Sequence, residues 1–207
     1  MSEIATLAAT IFKRAAGTKR FIVAIAGPPG AGKSTIAEEL RALLPQDSAV
    51  VVPMDGFHYD NAILDQRGLR SRKGAPETFD LAGFGHLLKR IRDAEPDIAI
   101  PVFDRSIELA RAGAAIIGGD IKFILAEGNY LLLDEQPWSA LAPLFDLAVF
   151  LDVPRDELER RLLRRWHEHG RSDDDARAWV ASNDMPNVDR VLEKRRQPDL
   201  VIRSQRA

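Results

Sequence analysis

Residues 21–44 read FIVAIAGPPGAGKSTIAEELRALL: an apolar run of strand length, a glycine-rich loop and a helical pattern in direct succession. The loop places glycine at positions 27 and 32, followed by Lys33 and Ser34. That spacing suits one setting above others, a buried strand delivering the chain to a helix N-terminus. Glycines there let the backbone wrap an anion so that successive N–H groups point at phosphate oxygens. The helix dipole adds to the attraction. Gly27, Pro28, Pro29, Gly30, Ala31, Gly32, Lys33, Ser34 and Thr35 are therefore the expected nucleotide cradle. Lys33 is expected at the β/γ-phosphates of ATP and the Ser34 hydroxyl on Mg²⁺.

The rest of the chain repeats the strand–helix alternation. Apolar runs at 21–27, 49–55, 121–128, 145–153 and 198–204 read as strands, most of them without polar alternation. Continuous apolarity is what strands covered on both faces require. Helical patterns fill 34–44, 80–94, 154–170 and about 187–196, with Asp80 as a cap before Leu81, Phe84, Leu88 and Ile91. This predicts an α/β domain with a mainly parallel sheet, one domain spanning 1–207. Two stretches depart from it. Residues 95–119 carry Pro101 and glycine turns and read as a strand-rich edge insertion. Residues 56–79 show little periodicity and read as a long functional loop.

Charge and composition narrow the function. Against 29 Lys and Arg stand 31 Asp and Glu, so no global field draws nucleic acid or an anionic membrane. Any anion site must be local. With Cys 0, disulfides and thiolate chemistry are excluded, and the setting expected is cytoplasmic. No run approaches the ~20 apolar residues of a membrane span. The N-terminal MSEIATLAATIFKR has Glu3 where a signal peptide would be basic. It reads as a helix packing Ile4, Leu7, Ala8, Ile11 and Phe12 on the core. The expected partner is a small molecule, with room for a homodimer.

Ligands of open parallel sheets sit beyond the carboxyl ends of the strands. Asp55 and Glu127 occupy two such ends. Either carboxylate suits the work of a base toward an acceptor hydroxyl or of a metal ligand. The stretch LERRLLRRWHEHGR poses an electrostatic problem, since Arg160 and Arg164, like Arg161 and Arg165, are four residues apart and repel on a helix face. Asp156 and Glu157 each precede an arginine by four residues and hold the first turn; Arg164 and Arg165 have no such acid. A triphosphate under a closing lid, at about residues 155–185, supplies the missing charge, with Arg171 as a further contact. For the acceptor, Phe57, His58, Tyr59, Asp104, Arg105 and Asn129 offer hydrogen bonds and an aromatic wall.

Taken together, GPPGAGKST, MDGFHYDN, LAEGNYLLL and RRLLRRWHEHGR resemble the P-loop kinases that include uridine kinase, pantothenate kinase and phosphoribulokinase. RKGAPETFD and PVFDRS look most like a small bacterial branch of fructose-transport-system or nucleoside/sugar kinases. The resemblance implies a P-loop NTPase three-layer sandwich with sheet order 2-3-1-4-5 and an arginine-bearing helical lid. It implies Asp55 as catalytic base, Glu127 near metal and acceptor, and Arg160, Arg161, Arg164 and Arg171 over the phosphates. Where uridine kinases commonly have aspartate after the third arginine, this chain has Arg165. The activity implied is phosphorylation of a small metabolite's hydroxyl, a sugar such as fructose by preference, with uridine-like nucleosides, pantothenate or a regulatory NTPase as alternatives. SNDMPNVDR (182–190) belongs to the same resemblance and reads as a helix start near Asn183 or Asn187.

Overall fold

The computed structural model describes residues 2–203. The elements are, in order, α1 (Glu3–Arg14), β1 (Phe21–Ala26), α2 (Lys33–Leu43), β2 (Ala49–Pro53), α3 (Asn61–Gln66), α4 (Leu81–Arg92), β3 (Ile98–Asp104) and β4 (Leu109–Ile117). They continue with β5 (Phe123–Gly128), β6 (Leu147–Asp152), α5 (Arg155–Glu168), α6 (Asp173–Trp179), α7 (Met185–Lys194) and β7 (Leu200–Arg203). Among the described residues, no helix is long and apolar enough to cross a membrane.

Strands β2-β5-β1-β6-β7 form a 5-stranded parallel sheet, which is the expected 2-3-1-4-5 order once the hairpin is set aside. The strand β1 shows why its sequence is apolar throughout. Ile22, Ala24 and Ala26 face one core with Phe84, Leu88 and Ile91 of α4. Phe21, Val23 and Ile25 face the other, with Leu7 and Ile11 of α1, Leu40 of α2 and Leu158 of α5. Period-two alternation thus sends side chains into both helical layers.

Several boundaries differ from the sequence reading, each for a local reason. The helix α1 buries Leu7, Ala8 and Ile11, whereas Phe12 is 60% exposed. One residue past Ile11 turns a side chain about 100° off the buried stripe. The stretch read as a loop contains α3, capped by Asp60, whose Oδ1 accepts from the Ala62 amide at 2.8 Å. Neither Asn183 nor Asn187 starts a helix, because a π-helical turn at Val180–Asp184 runs straight into α7. Asn183 instead donates from Nδ2 to the Lys73 carbonyl at 2.9 Å. Ser204, the last residue of the predicted strand 198–204, lies outside the described residues.

The strands β3 and β4 pair antiparallel as a separate 2-stranded sheet. This hairpin comes down on the turn after β2, where Met54–Phe57 form a 3₁₀ turn. A Cβ on Gly56 would lie 2.4 Å from the Pro101 carbonyl oxygen, so two backbones meet there and only glycine fits. We expect Gly56→Ala to cost about 1–3 kcal/mol, an overpacking penalty against rigid backbone. Urea unfolding checks it; a loss below a few tenths would show the hairpin moves freely.

Candidate active site

The phosphate loop closes β1 and opens α2. Gly30 and Gly32 have φ of 82° and 87°, left-handed values that glycine adopts without strain. Pro29, Gly30, Gly32, Lys33, Ser34 and Thr35 line a cleft of about 1190 Å³. Gly27, Pro28 and Ala31 are buried and form the back of the loop. The Lys33 ammonium donates to the Pro28 carbonyl at 3.0 Å and to Asn129 Oδ1 at 2.6 Å. Burial lowers its pKa to about 8, although Glu127 and Asp55 pull the other way. Asn129, expected beside the acceptor, thus holds the loop lysine.

Both strand-end acids reach this cleft. Glu127 sits within β5, in register with Pro53 of β2 and Ile25 of β1. It accepts from the Ser34 hydroxyl at 3.1 Å and is 7% exposed. Burial, seconded by the negative charge of Asp55, pushes its carboxyl above the usual range. Asp55 lies in the 3₁₀ turn just past β2, not on the strand, and pairs with Arg105 of the hairpin at 2.7 Å. A desolvated carboxylate facing a second one and a hydroxyl is a donor set that fits Mg²⁺, which takes one or two carboxylates and completes its shell with phosphates and water.

On α5 the arginines divide. Glu157 accepts from Arg160 at 2.7 Å and from Arg161 at 2.5 Å, and these bonds hold its carboxyl below the usual range. Arg160 was expected against Asp156 but forms its i,i+3 pair with Glu157, and it does not line the cleft. Arg161 also approaches the Gly30 carbonyl at 3.5 Å. Arg164 is 57% exposed at the rim, 3.9 Å from Glu168. Arg165 makes no ion pair among the described residues, and burial, then the like charge of Arg105, lowers its pKa. Arg171 is held between the rings of Trp166 and Trp179, at 4.4 and 4.6 Å. Trp166 in turn donates to Asp184 at 2.6 Å.

In the same cleft, His58 stacks on Phe79 at 4.0 Å and tilts against Phe103 at 4.9 Å. Burial lowers its pKa to about 4, so it is neutral at physiological pH. Three expected acceptor residues do not line the cleft. Phe57 packs edge-on against Phe84, Tyr59 receives Arg67 on its ring face, and Asp104 accepts from the amide and hydroxyl of Ser106. Each is spent on local structure. Lys73, Asn61, Phe103 and Glu108 line it without having been singled out. Lys73 was signalled only by its place in RKGAPETFD.

Residues 22–206 match the Phosphoribulokinase / Uridine kinase family. The uncharacterised protein YggC of Escherichia coli (strain K12) is 37% identical, over 89% of this chain and 78% of that protein. A pantothenate kinase of Sorangium cellulosum (strain So ce56) is 30% identical, covering 93% of this chain and 71% of the relative. Among solved structures, a candidate fructose transport system kinase from Silicibacter sp. TM1040 is 40% identical with a TM-score of 0.92, covering 98% of this chain and 100% of that one. The strand order, the lysine-bearing loop and these relatives agree: the chain belongs to the phosphoribulokinase/uridine kinase family and is a kinase, a phosphotransferase acting on alcohol groups.

Proposed function

We propose that this kinase transfers the γ-phosphoryl group of Mg-ATP to a hydroxyl of a small sugar-class metabolite, such as fructose. The observation that carries the reading is one continuous cleft lined both by the phosphate loop and Asp55 and by His58, Asn61, Phe79 and Phe103. At about 1190 Å³ it exceeds the space that a single small ligand fills and has room for nucleotide and acceptor together. The likeness to a candidate fructose transport system kinase supports a sugar as acceptor. The absence of cysteine suits work in the cytoplasm.

The loop amides and Lys33 hold the β- and γ-phosphates. Ser34 and Glu127 would hold Mg²⁺, with Asp55 nearby; the ion supplies neutralisation of charge on the phosphate oxygens. Asp55 accepts the proton of the attacking hydroxyl, and Arg105 fixes the position of that carboxylate. Residues 155–185 act as the lid. Arg161, braced by Glu157, meets phosphate near Gly30, and Arg165 brings its unpaired charge to the transferred group. Arg160 acts through Glu157, while Arg171 binds the lid's two tryptophans together.

ADP release with Mg-ATP, measured over sugars, nucleosides and pantothenate, tests the reading. We expect one acceptor class to stimulate release strongly, and Arg165→Met to lower that stimulated rate by about 10²–10³-fold without loss of thermal stability. Release that no acceptor changes would favour a regulatory NTPase.

A further inference from the structure

The transfer chemistry leaves Lys73 unused, yet the chain holds it with unusual firmness. It lies on an irregular stretch whose backbone is tied at successive positions. Asn183 donates to the Lys73 carbonyl, the Tyr130 hydroxyl donates to the Gly74 carbonyl, and the Gly74 amide donates to Thr78 Oγ1 at 3.0 Å. Asn183, Tyr130 and Thr78 are all buried. The lysine side chain is 13% exposed, and its ammonium donates to Asn61 Oδ1 at 2.9 Å. An ammonium withdrawn from water needs a firm anionic partner.

The partner it has is a weak one. Glu108, at the hairpin tip between β3 and β4, is 54% exposed; its carboxylate stands 3.3 Å away and its backbone carbonyl accepts from the same ammonium at 3.2 Å. Its φ of 53° is a left-handed conformation uncommon for a residue other than glycine, asparagine or aspartate. Its solvent-facing carboxylate is screened and free to leave the ammonium. Arg105 lies in the same neighbourhood. The Lys73 ammonium is 5.2 Å and the Arg105 guanidinium 5.7 Å from the Phe103 ring centre. Two cations therefore gather at one aromatic wall, and Arg105 also reaches Asp55.

We propose that the acceptor carries an anionic group, a carboxylate or a phosphate ester, received by Lys73 with Arg105, and that Glu108 occupies that place until the acceptor arrives. The inference rests on the kinase reading and narrows its substrate to acidic or phosphorylated sugars and related hydroxy acids. The reacting hydroxyl lies toward Asp55 and the anionic end toward Lys73. An acidic acceptor exchanges one carboxylate for another at the ammonium, with little new desolvation. A neutral sugar that displaced Glu108 would leave the ammonium without an anion, a costly outcome in a half-enclosed cleft.

The test compares fructose with gluconate, glycerate, pantothenate and fructose 6-phosphate, the phosphate ester separating its source of charge from the carboxylates. ADP release is read beside the thermal shift each compound gives with a non-hydrolysable ATP analogue. We expect acidic members to exceed fructose in kcat/KM by at least about tenfold. Lys73→Met should raise KM for the acids about tenfold with far less change for fructose. Glu108→Gln should act in the opposite sense and lower KM for the acids, which keeps the test decisive if Lys73→Met does not fold. A Lys73-dependent thermal shift from an acid without ADP release would sink the kinase reading and keep the anion site. Preference for fructose, or no Lys73-dependent response to any acid, overturns the inference.

Discussion

Asp55→Asn is expected to lower acceptor-dependent turnover by about 10²–10⁴-fold, the usual contribution of a positioned general base. Asparagine keeps the shape and an oxygen for the Arg105 guanidinium, now 2.7 Å from the carboxylate, so the hairpin should stay docked. Thermal stability and Mg-ATP affinity should therefore change little. The control is Glu127→Gln. Glu127 touches Ser34, and its burial and repulsion from Asp55 are what a cation would relieve. Its loss should be partly rescued by raising Mg²⁺, whereas the loss at Asp55 should not. If excess Mg²⁺ restores the Asp55 variant and not the Glu127 variant, the two roles are exchanged.

The second large effect is at Lys33, where activity and stability should move in opposite directions. If the Lys33 charge meets the β/γ-phosphates as proposed, Lys33→Met should lower turnover by about 10²–10³-fold. The ligand-free protein should nevertheless become harder to unfold. Burial lowers the Lys33 pKa to about 8 from its ordinary 10.5. That difference corresponds to roughly 3 kcal/mol of cost to the protonated form at neutral pH, as an order of magnitude. Methionine fills similar space without that charge, though it leaves Asn129 Oδ1 without its donor. The pH dependence follows from the same shift. Between pH 8 and 10.5 the unfolded chain binds more protons at this site than the folded one, so stability rises with pH there. Below pH 8 the full penalty is present. Urea midpoints across this window should climb for the native chain and stay flatter for Lys33→Met; parallel curves would contradict the assignment.

Much of the architecture was legible because the buried sheet writes itself into the chain. The strand β1 needs apolar residues on both faces, and FIVAIA supplies them. The loop is legible because anion wrapping restricts residue type at fixed spacing. Asp55 and Glu127 could be read from their strand ends, which topology turns toward the loop. What the sequence hid depends on contacts far along the chain. Lys73 reaches the cleft because Asn183, 110 residues away, holds its carbonyl and Tyr130 holds that of Gly74, 56 residues away. No local pattern displays that. Conversely, Asp104 and Tyr59 looked like ligands by chemistry alone, yet the turn at Ser106 and the Arg67 side chain claim them first. The arginine helix was half legible. The Glu157–Arg161 pair follows from spacing. That Arg165 is the half-buried one without an ion pair depends on how α5 packs against α6 and α7, which spacing does not state.

The fate of the γ-phosphoryl group distinguishes transfer to an acceptor from hydrolysis. The protein would be incubated with Mg-ATP labelled at the γ-phosphate, with and without the acceptor panel, and the label followed into organic ester or inorganic phosphate. A labelled ester should form only with an acceptor and disappear in Asp55→Asn. Label released solely as inorganic phosphate, at one rate with or without acceptor and in both proteins, would contradict transfer.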